Sequence, residues 1–462
     1  MQLPYDDSSE ASVLSYGKLL EGKTLSGVLT EVKEYSTANK GDFGGAVEES
    51  YFRIPNNSRS GPDIEKSGIE IKSTGLKQLV KSKEFVAKER LVISTLNFGK
   101  MIGTTIYESA LFGKFKKVLF IFYIYDKLKK YPDYKIDLVS LWSVPAVDIP
   151  VIENDWKILV KYVEDGRAHE ITSGATKYIE ACRGGGKHTA LVAQPRSETR
   201  ARMRRLALKN SYLTGVYRQL KEGHSVFRSE WSELEKAVAD KISPYLGMYE
   251  DQISTVLGYQ SKAKDRCSRY VRKMLGILPG GSLPLEFEKS GTILKTIRVN
   301  SKGKLHENIS FAQVSLDELI NQSWIPDDES GGDYVTFRDT VQSRFLFVIF
   351  EDNKDGKGAR LLGAKLWTIG ANDLDGQCEK DWNYASEAIK SSNLKALCKG
   401  TGHIIFLNTK GTKGHSNSSK KSDADTLPNG QEITRLAFWL SGNYIREQLS
   451  HVDWLIHAGL AR

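Results

Sequence analysis

Six short segments of this chain occur twice, in the same order, and this repetition limits its fold more than any other feature. Lys66–Lys72 returns as Lys289–Lys295, Lys117–Phe122 as Arg344–Ile349, and Leu141–Val144 as Leu366–Ile369. Asp155-Trp156 returns as Asp381-Trp382, Arg205–Ala207 as Arg435–Ala437, and Tyr212-Leu213 as Tyr444-Ile445. The separations run only from 223 to 232 residues. A period this far above solenoid length implies one domain of roughly 220 residues present as two tandem copies. The polar segment 219–235 is the expected junction, giving domains of 1–225 and 226–462. Each copy mixes strand patterns, at 90–97, 117–125 and 136–143 in the first, with helical ones at 44–52 and 210–220. The expected class is α/β, a sheet flanked by helices. Segment 408–423 is rich in Gly, Ser and Lys and reads as a loop of the second copy.

The copies differ where chemistry would sit. In the first, Pro62-Asp63 is followed by Ile69-Glu70-Ile71-Lys72, which alternates apolar and charged residues as a half-buried strand does. Side chains two apart on a strand share a face, so Glu70 and Lys72 point together while Asp63 approaches from the loop. Two carboxylates beside an ammonium suit a phosphodiesterase that uses Mg²⁺, a hard ion held by one or two carboxylates plus substrate phosphate. A lysine there can orient water and stabilise developing charge. Such a D-x6-E-x-K pattern also arises by chance in charged chains, where it is a loop followed by a solvated strand face. In the second copy Ile293 replaces Glu70, Glu286 takes the place of Asp63 and Lys295 that of Lys72. Only the first copy can hold the metal in this way.

Composition points to the same kind of partner. The net charge of +9 and pI near 9.0 favour a polyanion. Basic clusters occur at Lys114/Lys116/Lys117 and across Arg196–Lys209, the latter beside Tyr212 and Tyr217. No apolar run reaches the ~18 residues of a membrane span, and no secretory signal is visible, so a cytoplasmic protein is expected. Four widely spaced cysteines show no C-x-x-C pattern and argue against structural zinc.

Four motifs now carry a family resemblance: Lys40-Gly41-x-x-Gly44-x-x-x-Glu48, Asp63-x6-Glu70-x-Lys72, Lys114-x-x-Lys117-Val-Leu-Phe, and Leu208-Lys209-Asn-Ser-Tyr212. The first half resembles MutH, the GATC-nicking endonuclease of mismatch repair. The two-copy layout resembles the Sau family of restriction endonucleases, in which one MutH-like domain is active and the other degenerate. The resemblance implies the restriction-endonuclease, PD-(D/E)XK, fold: a mixed sheet flanked by helices, with DNA in a cleft. It implies Mg²⁺ on Asp63, Glu70 and the Ile71 carbonyl, with Lys72 as the catalytic lysine. Glu48 would anchor Lys72 or a second metal, and Lys114 would be a second active-site lysine, with Lys116 as its rival. Arg183 or Lys187 would read a guanine, Lys40 and Gly41 would lie near DNA, and Lys209 would line the cleft. Ala207-Leu208 stands where MutH has an active-site tyrosine, so that role does not transfer.

The function implied is a type II restriction endonuclease cutting double-stranded DNA at a short palindrome, GATC. The second domain would bind DNA as an effector or clamp. Dimerisation on DNA or two-site looping is expected, with a cognate DNA methyltransferase as companion. A strand-nicking repair endonuclease and a non-cleaving DNA-binding regulator are the alternatives.

Overall fold

The computed structural model describes residues 3–29, 42–55, 61–79, 83–126, 128–183, 191–222, 233–277, 283–325, 337–353, 358–394, 397, 402–410 and 424–459. The chain forms two compact units. The first comprises Met1–Arg228 together with Leu285–Gly291 and Ile325–Asp339; the second holds the remainder. The segment Leu285–Gly291, from beyond residue 225, thus packs with the first unit.

The first unit contains β1 (Glu70–Gln78), β2 (Phe85–Ala87), β3 (Leu91–Thr95), β4 (Val118–Ile124), β5 (Lys135–Trp142), β6 (Ile179–Arg183), β7 (Leu191–Gln194), β8 (Ser197–Arg202) and β9 (Arg204–Leu208). Its main sheet has the order β2-β1-β4-β5, with β1 and β4 parallel and the outer pairs antiparallel. The β4 segment is an unbroken apolar run because both of its faces are covered. Val118, Phe120 and Phe122 enter one core, and Leu119, Ile121 and Tyr123 enter another. Phe120 and Phe122 are fully buried, each stabilising the fold by roughly 1.5–3 kcal/mol.

Helices follow the same logic. The helix Ile149–Glu164 buries Ile152, Asp155, Trp156, Leu159, Val160 and Val163, the three- and four-residue spacing of one helical face. Together with the helix Asn210–Glu222 it lines the first core, while the helix Glu10–Lys18 lies on the opposite face of the sheet. A second sheet, β3-β9-β6, and a two-stranded β7-β8 ribbon complete the unit.

The second unit contains β10 (Thr292–Val299), β11 (Ile309–Gln313), β12 (Arg344–Glu351), β13 (Arg360–Trp367), β14 (Ile405–Thr409), β15 (Ala424–Thr426), β16 (Glu432–Thr434), β17 (Leu436–Leu440) and β18 (Trp454–His457). Its sheets are β10-β12-β13-β18, β11-β17-β14 and β15-β16. As in the first unit, the leading strand is parallel to its neighbour and the next pair is antiparallel. The register also coincides: Lys72 stands opposite Phe120, and Lys295 opposite Phe347. Ile293 faces Phe345 as Glu70 faces Val118.

Two repeated pairs gain a physical reason. The Asp155 carboxylate accepts the backbone N–H groups of Lys177, Tyr178 and Ile179 at 2.8, 2.6 and 3.2 Å. Asp381 accepts those of Ile404 and Ile405 at 2.8 and 3.0 Å. Each aspartate fixes the start of a strand by satisfying backbone donors that would otherwise be buried unpaired. Likewise Tyr212 donates to Asp148 at 2.8 Å and Tyr444 to Asp373 at 2.6 Å. In the first unit Asp148 gains a further partner from the short helix Leu285–Lys289: the buried Lys289 ammonium lies 2.7 and 2.9 Å from its two oxygens. Gly215 makes room for it, since a Cβ there would meet Lys289 Cγ at 2.5 Å. Glu286, set opposite Asp63 by the sequence repeat, lies in the same helix and is buried.

Candidate active site

Glu70 and Lys72 leave β1 on one side, and the turn before the strand folds Asp63 back onto them. The turn at Glu65–Gly68 closes with Gly68 at a φ of +67°, a conformation that costs glycine little. Ile64 and Ile69 then pair across it, at 2.8 and 3.1 Å in the two directions. As a result the Ile71 N–H donates to Asp63 Oδ2 at 2.9 Å and the Asp63 N–H to Glu70 Oε2 at 3.2 Å. Both carboxylates are held by backbone before any ligand arrives.

Two lysines meet them. Lys72 Nζ lies 2.6 Å from Glu70 Oε1, 3.6 Å from Asp63 Oδ2 and 4.0 Å from Glu48 Oε1. It also donates to the Ile71 carbonyl at 2.8 Å and sits 5.7 Å from the Phe115 ring centre. Lys114 Nζ is 3.1 Å from Glu70 Oε1 and 4.0 Å from Asp63 Oδ1. Lys116 is exposed, so the structure brings Lys114 and not its rival into the cluster. Glu48 comes from a π-helical turn, Ala46–Tyr51, in which the Phe52 N–H reaches the Val47 carbonyl five residues back. Such turns are frequent at functional sites.

Burial sets the electrostatics. Glu70 is completely buried, not the solvated charge of a strand face. Burial pushes Glu48 up to about 7, against the pull of Lys72. Burial also raises Glu70. Burial alone would lower Lys72, but Glu70 and Asp63 outweigh it and hold the ammonium above its ordinary range. Three carboxylates against two ammoniums leave the cluster one negative charge when all are ionised, room for a cation and a phosphate.

The oxygens fit a hard divalent cation. Among the described residues Glu70 Oε1, which is buried, makes no hydrogen bond of good geometry, only the ion pairs with the two lysines. It and the Ile71 carbonyl contact one Lys72 ammonium, with Asp63 Oδ2 close by, so three oxygens converge on one point. Among the described residues no group of three or more His, Cys, Asp or Glu stands at metal-holding spacing. The set is two carboxylates and a carbonyl, to be completed by water and phosphate as Mg²⁺ prefers.

This cluster lies inside a segment with a family match: residues 52–155 match the family described as the DNA mismatch repair enzyme MutH. That segment is similar to MutH. The matched span contains Asp63, Glu70, Lys72 and Lys114, while Glu48 precedes it and Arg183 follows it. Over 455 residues, 88% of this chain and 91% of the relative, the sequence is 26% identical to the type II restriction enzyme Sau3AI of Staphylococcus aureus.

The expected DNA contacts around the MutH-like segment are less closely gathered. Lys40, Gly41 and Lys187 lie outside the described residues. Arg183 ends β6 opposite Arg204, with its Nε and Nη1 buried. Lys209 is buried, and its ammonium donates at 2.5 Å to the carbonyls of both Ser173 and Thr176. That places Lys209 in the frame of the domain and not on a cleft surface. Sequence reading missed Asp148, although Trp142-x5-Asp148 recurs as Trp367-x5-Asp373 and was a readable signal. It also missed Arg204, buried and donating to the Ile171 and Ala181 carbonyls at 2.8 and 3.3 Å, for which no local pattern exists.

Proposed function

We propose that this chain is a type II restriction endonuclease that hydrolyses double-stranded DNA at a short palindrome, GATC, with Mg²⁺. The observation that carries the reading is the Asp63–Glu70–Lys72–Lys114 cluster inside the MutH match, in a chain similar along most of its length to a restriction enzyme. Asp63, Glu70 and the Ile71 carbonyl would hold Mg²⁺, which when bound polarises the phosphate and lowers the pKa of bound water. Lys72 then orients the attacking water and stabilises charge developing on the phosphate. Lys114, beside Glu70, meets a non-bridging phosphate oxygen, and Glu48 holds Lys72 in place from the other side.

The second unit is read as a degenerate PD-(D/E)XK copy of the first, supported by the correspondence of β1-β4-β5 with β10-β12-β13 and of β3-β9-β6 with β11-β17-β14, and by the register that sets Ile293 in place of Glu70. It binds DNA as effector or clamp. One cutting site per chain requires two chains on the palindrome, or two successive cuts. GATC, dimerisation or looping, the companion methyltransferase, the cytoplasmic setting and the base-reading roles of Arg183 or Lys187 belong to the same proposal; Lys40 and Gly41 are assigned to the DNA surface. No helix among the described residues is long and apolar enough to cross a membrane.

Incubating supercoiled plasmid with the protein and Mg²⁺ tests this. Linear fragments with ends at GATC are expected. Nicked circles alone would indicate the repair-type nickase, and retarded but uncut DNA a binding protein.

A further inference from the structure

Lys295 keeps the position of Lys72 but has lost its anions. Its ammonium donates to the Ser310 carbonyl at 3.1 Å and lies 5.7 Å from the Phe311 ring centre. Among the described residues it makes no ion pair with a carboxylate, and the charged group acting on it is another cation, Lys410. Burial and Lys410 together lower its pKa. A half-hidden ammonium without a counter-ion is costly unless something anionic arrives.

A place for that anion exists. Lys295 lines a cavity of about 510 Å³, bounded by β10, the start of β11 and the turn into the helix Arg266–Met274. Lys264, Arg298 and His306 line it as well. Arg298 and His306 share a single carboxylate, Asp352, at 2.5 Å each. Of the other two acids on the wall, Asp265 is turned to Arg269 at 2.9 Å and Glu307 is exposed. Thr296 also lines the cavity, and its buried hydroxyl has no hydrogen-bond partner among the described residues. The volume suits a nucleotide-sized group. Cys267 adds no chemistry, since burial raises its thiol to about 12.

We propose that this cavity is a phosphodiester-binding site in which Lys295 seats a backbone phosphate of duplex DNA without cutting it. Replacing Glu70 by Ile293 turned a site for a cation into a site for an anion. This rests on the reading of the second unit as DNA-binding and names the residue and group that do the binding.

The test uses the full chain carrying Glu70→Ala, so that DNA survives, and short duplexes containing GATC. Titration calorimetry and mobility shift count the duplexes bound. The expected result is two binding steps, one at the cutting site (one duplex per chain, or one per pair of chains sharing the palindrome) and one at the second unit, with Lys295→Met weakening the latter at least tenfold. The salt slope of that step should fall by about 0.9, the value for one lost phosphate contact. Lys295→Arg should restore it. Lys295→Met should melt no lower than its parent, because it removes an uncompensated ammonium, which a merely structural lysine would not allow. Unchanged binding and slope in Lys295→Met overturn the proposal and leave the second unit a DNA binder by another surface. A parent with a single binding step overturns the reading itself. Lys295-dependent binding of a deoxynucleoside 5′-monophosphate, with duplex binding untouched, overturns duplex DNA as the source of the phosphate.

Discussion

The Ile71 backbone N–H donates to Asp63 Oδ2 at 2.9 Å. The strand that carries Glu70 therefore positions the second carboxylate, and a loop residue acquires the precision of a sheet. Asp63→Asn keeps an oxygen to accept this bond and loses the charge; Asp63→Ala loses both. Both variants should cut plasmid at least ~10²-fold more slowly, the scale of losing one preorganised electrostatic group. They should separate in stability, with Asp63→Ala ~0.5–1.5 kcal/mol below Asp63→Asn in urea denaturation. Equal stabilities would show that the bond does not organise the loop.

Glu48 gives a pH dependence with a definite sign. Its carboxyl is raised by burial from 4.5 to about 7 in the folded chain. Below pH 4.5 both states hold the proton and nothing changes. Between there and about 7 the unfolded carboxyl ionises first, so the folded chain loses stability as pH rises, and above about 7 the loss is complete. Glu48→Gln cannot ionise. Melting in EDTA should show the variant gaining on its parent between pH 5 and pH 8; a constant difference would mean that Glu48 titrates normally.

Lys209 donates to two carbonyls from a buried position. Lys209→Met should therefore lower stability by ~1–3 kcal/mol through unpaired carbonyls. The DNA affinity of the folded fraction and its salt slope should stay as they were. A slope reduced by about 0.9 would instead identify Lys209 as a phosphate contact.

The Lys289–Asp148 pair is almost wholly buried. Lys289→Met leaves a buried carboxylate whose remaining side-chain partner among the described residues is Tyr212, at a cost of ~3–5 kcal/mol. The double variant Lys289→Met/Asp148→Asn should recover much of that. Hydrogen exchange of the helix Leu285–Lys289 should rise in the single variant and fall back in the double.

Local sequence determined the elements. The alternation at Ile69–Lys72 makes β1, the apolar run at Val118–Ile124 makes a strand covered on both faces, and the helix Asn210–Glu222 falls where its pattern places it. The cluster of Asp63, Glu70 and Lys72 was legible because all three lie within ten residues, bridged by one turn. The repeat was legible too, since order and spacing need no geometry.

Tertiary structure decided what depends on distant groups. Lys114 and Lys116 are indistinguishable in sequence; only the fold sends the first to Glu70 and leaves the second in solvent. Lys209 looks like a DNA contact until the carbonyls of Ser173 and Thr176, over thirty residues away, claim its ammonium. Leu285–Gly291 follows the junction in sequence yet packs with the first unit, because Asp148 and Gly215 offer Lys289 a charge and a space that no local pattern reveals. The repeat established where a lysine would recur. Whether that lysine pairs with carboxylates, as Lys72 does, or lines a cavity whose described acids do not pair with it, as Lys295 does, was set by packing among residues far apart in the chain.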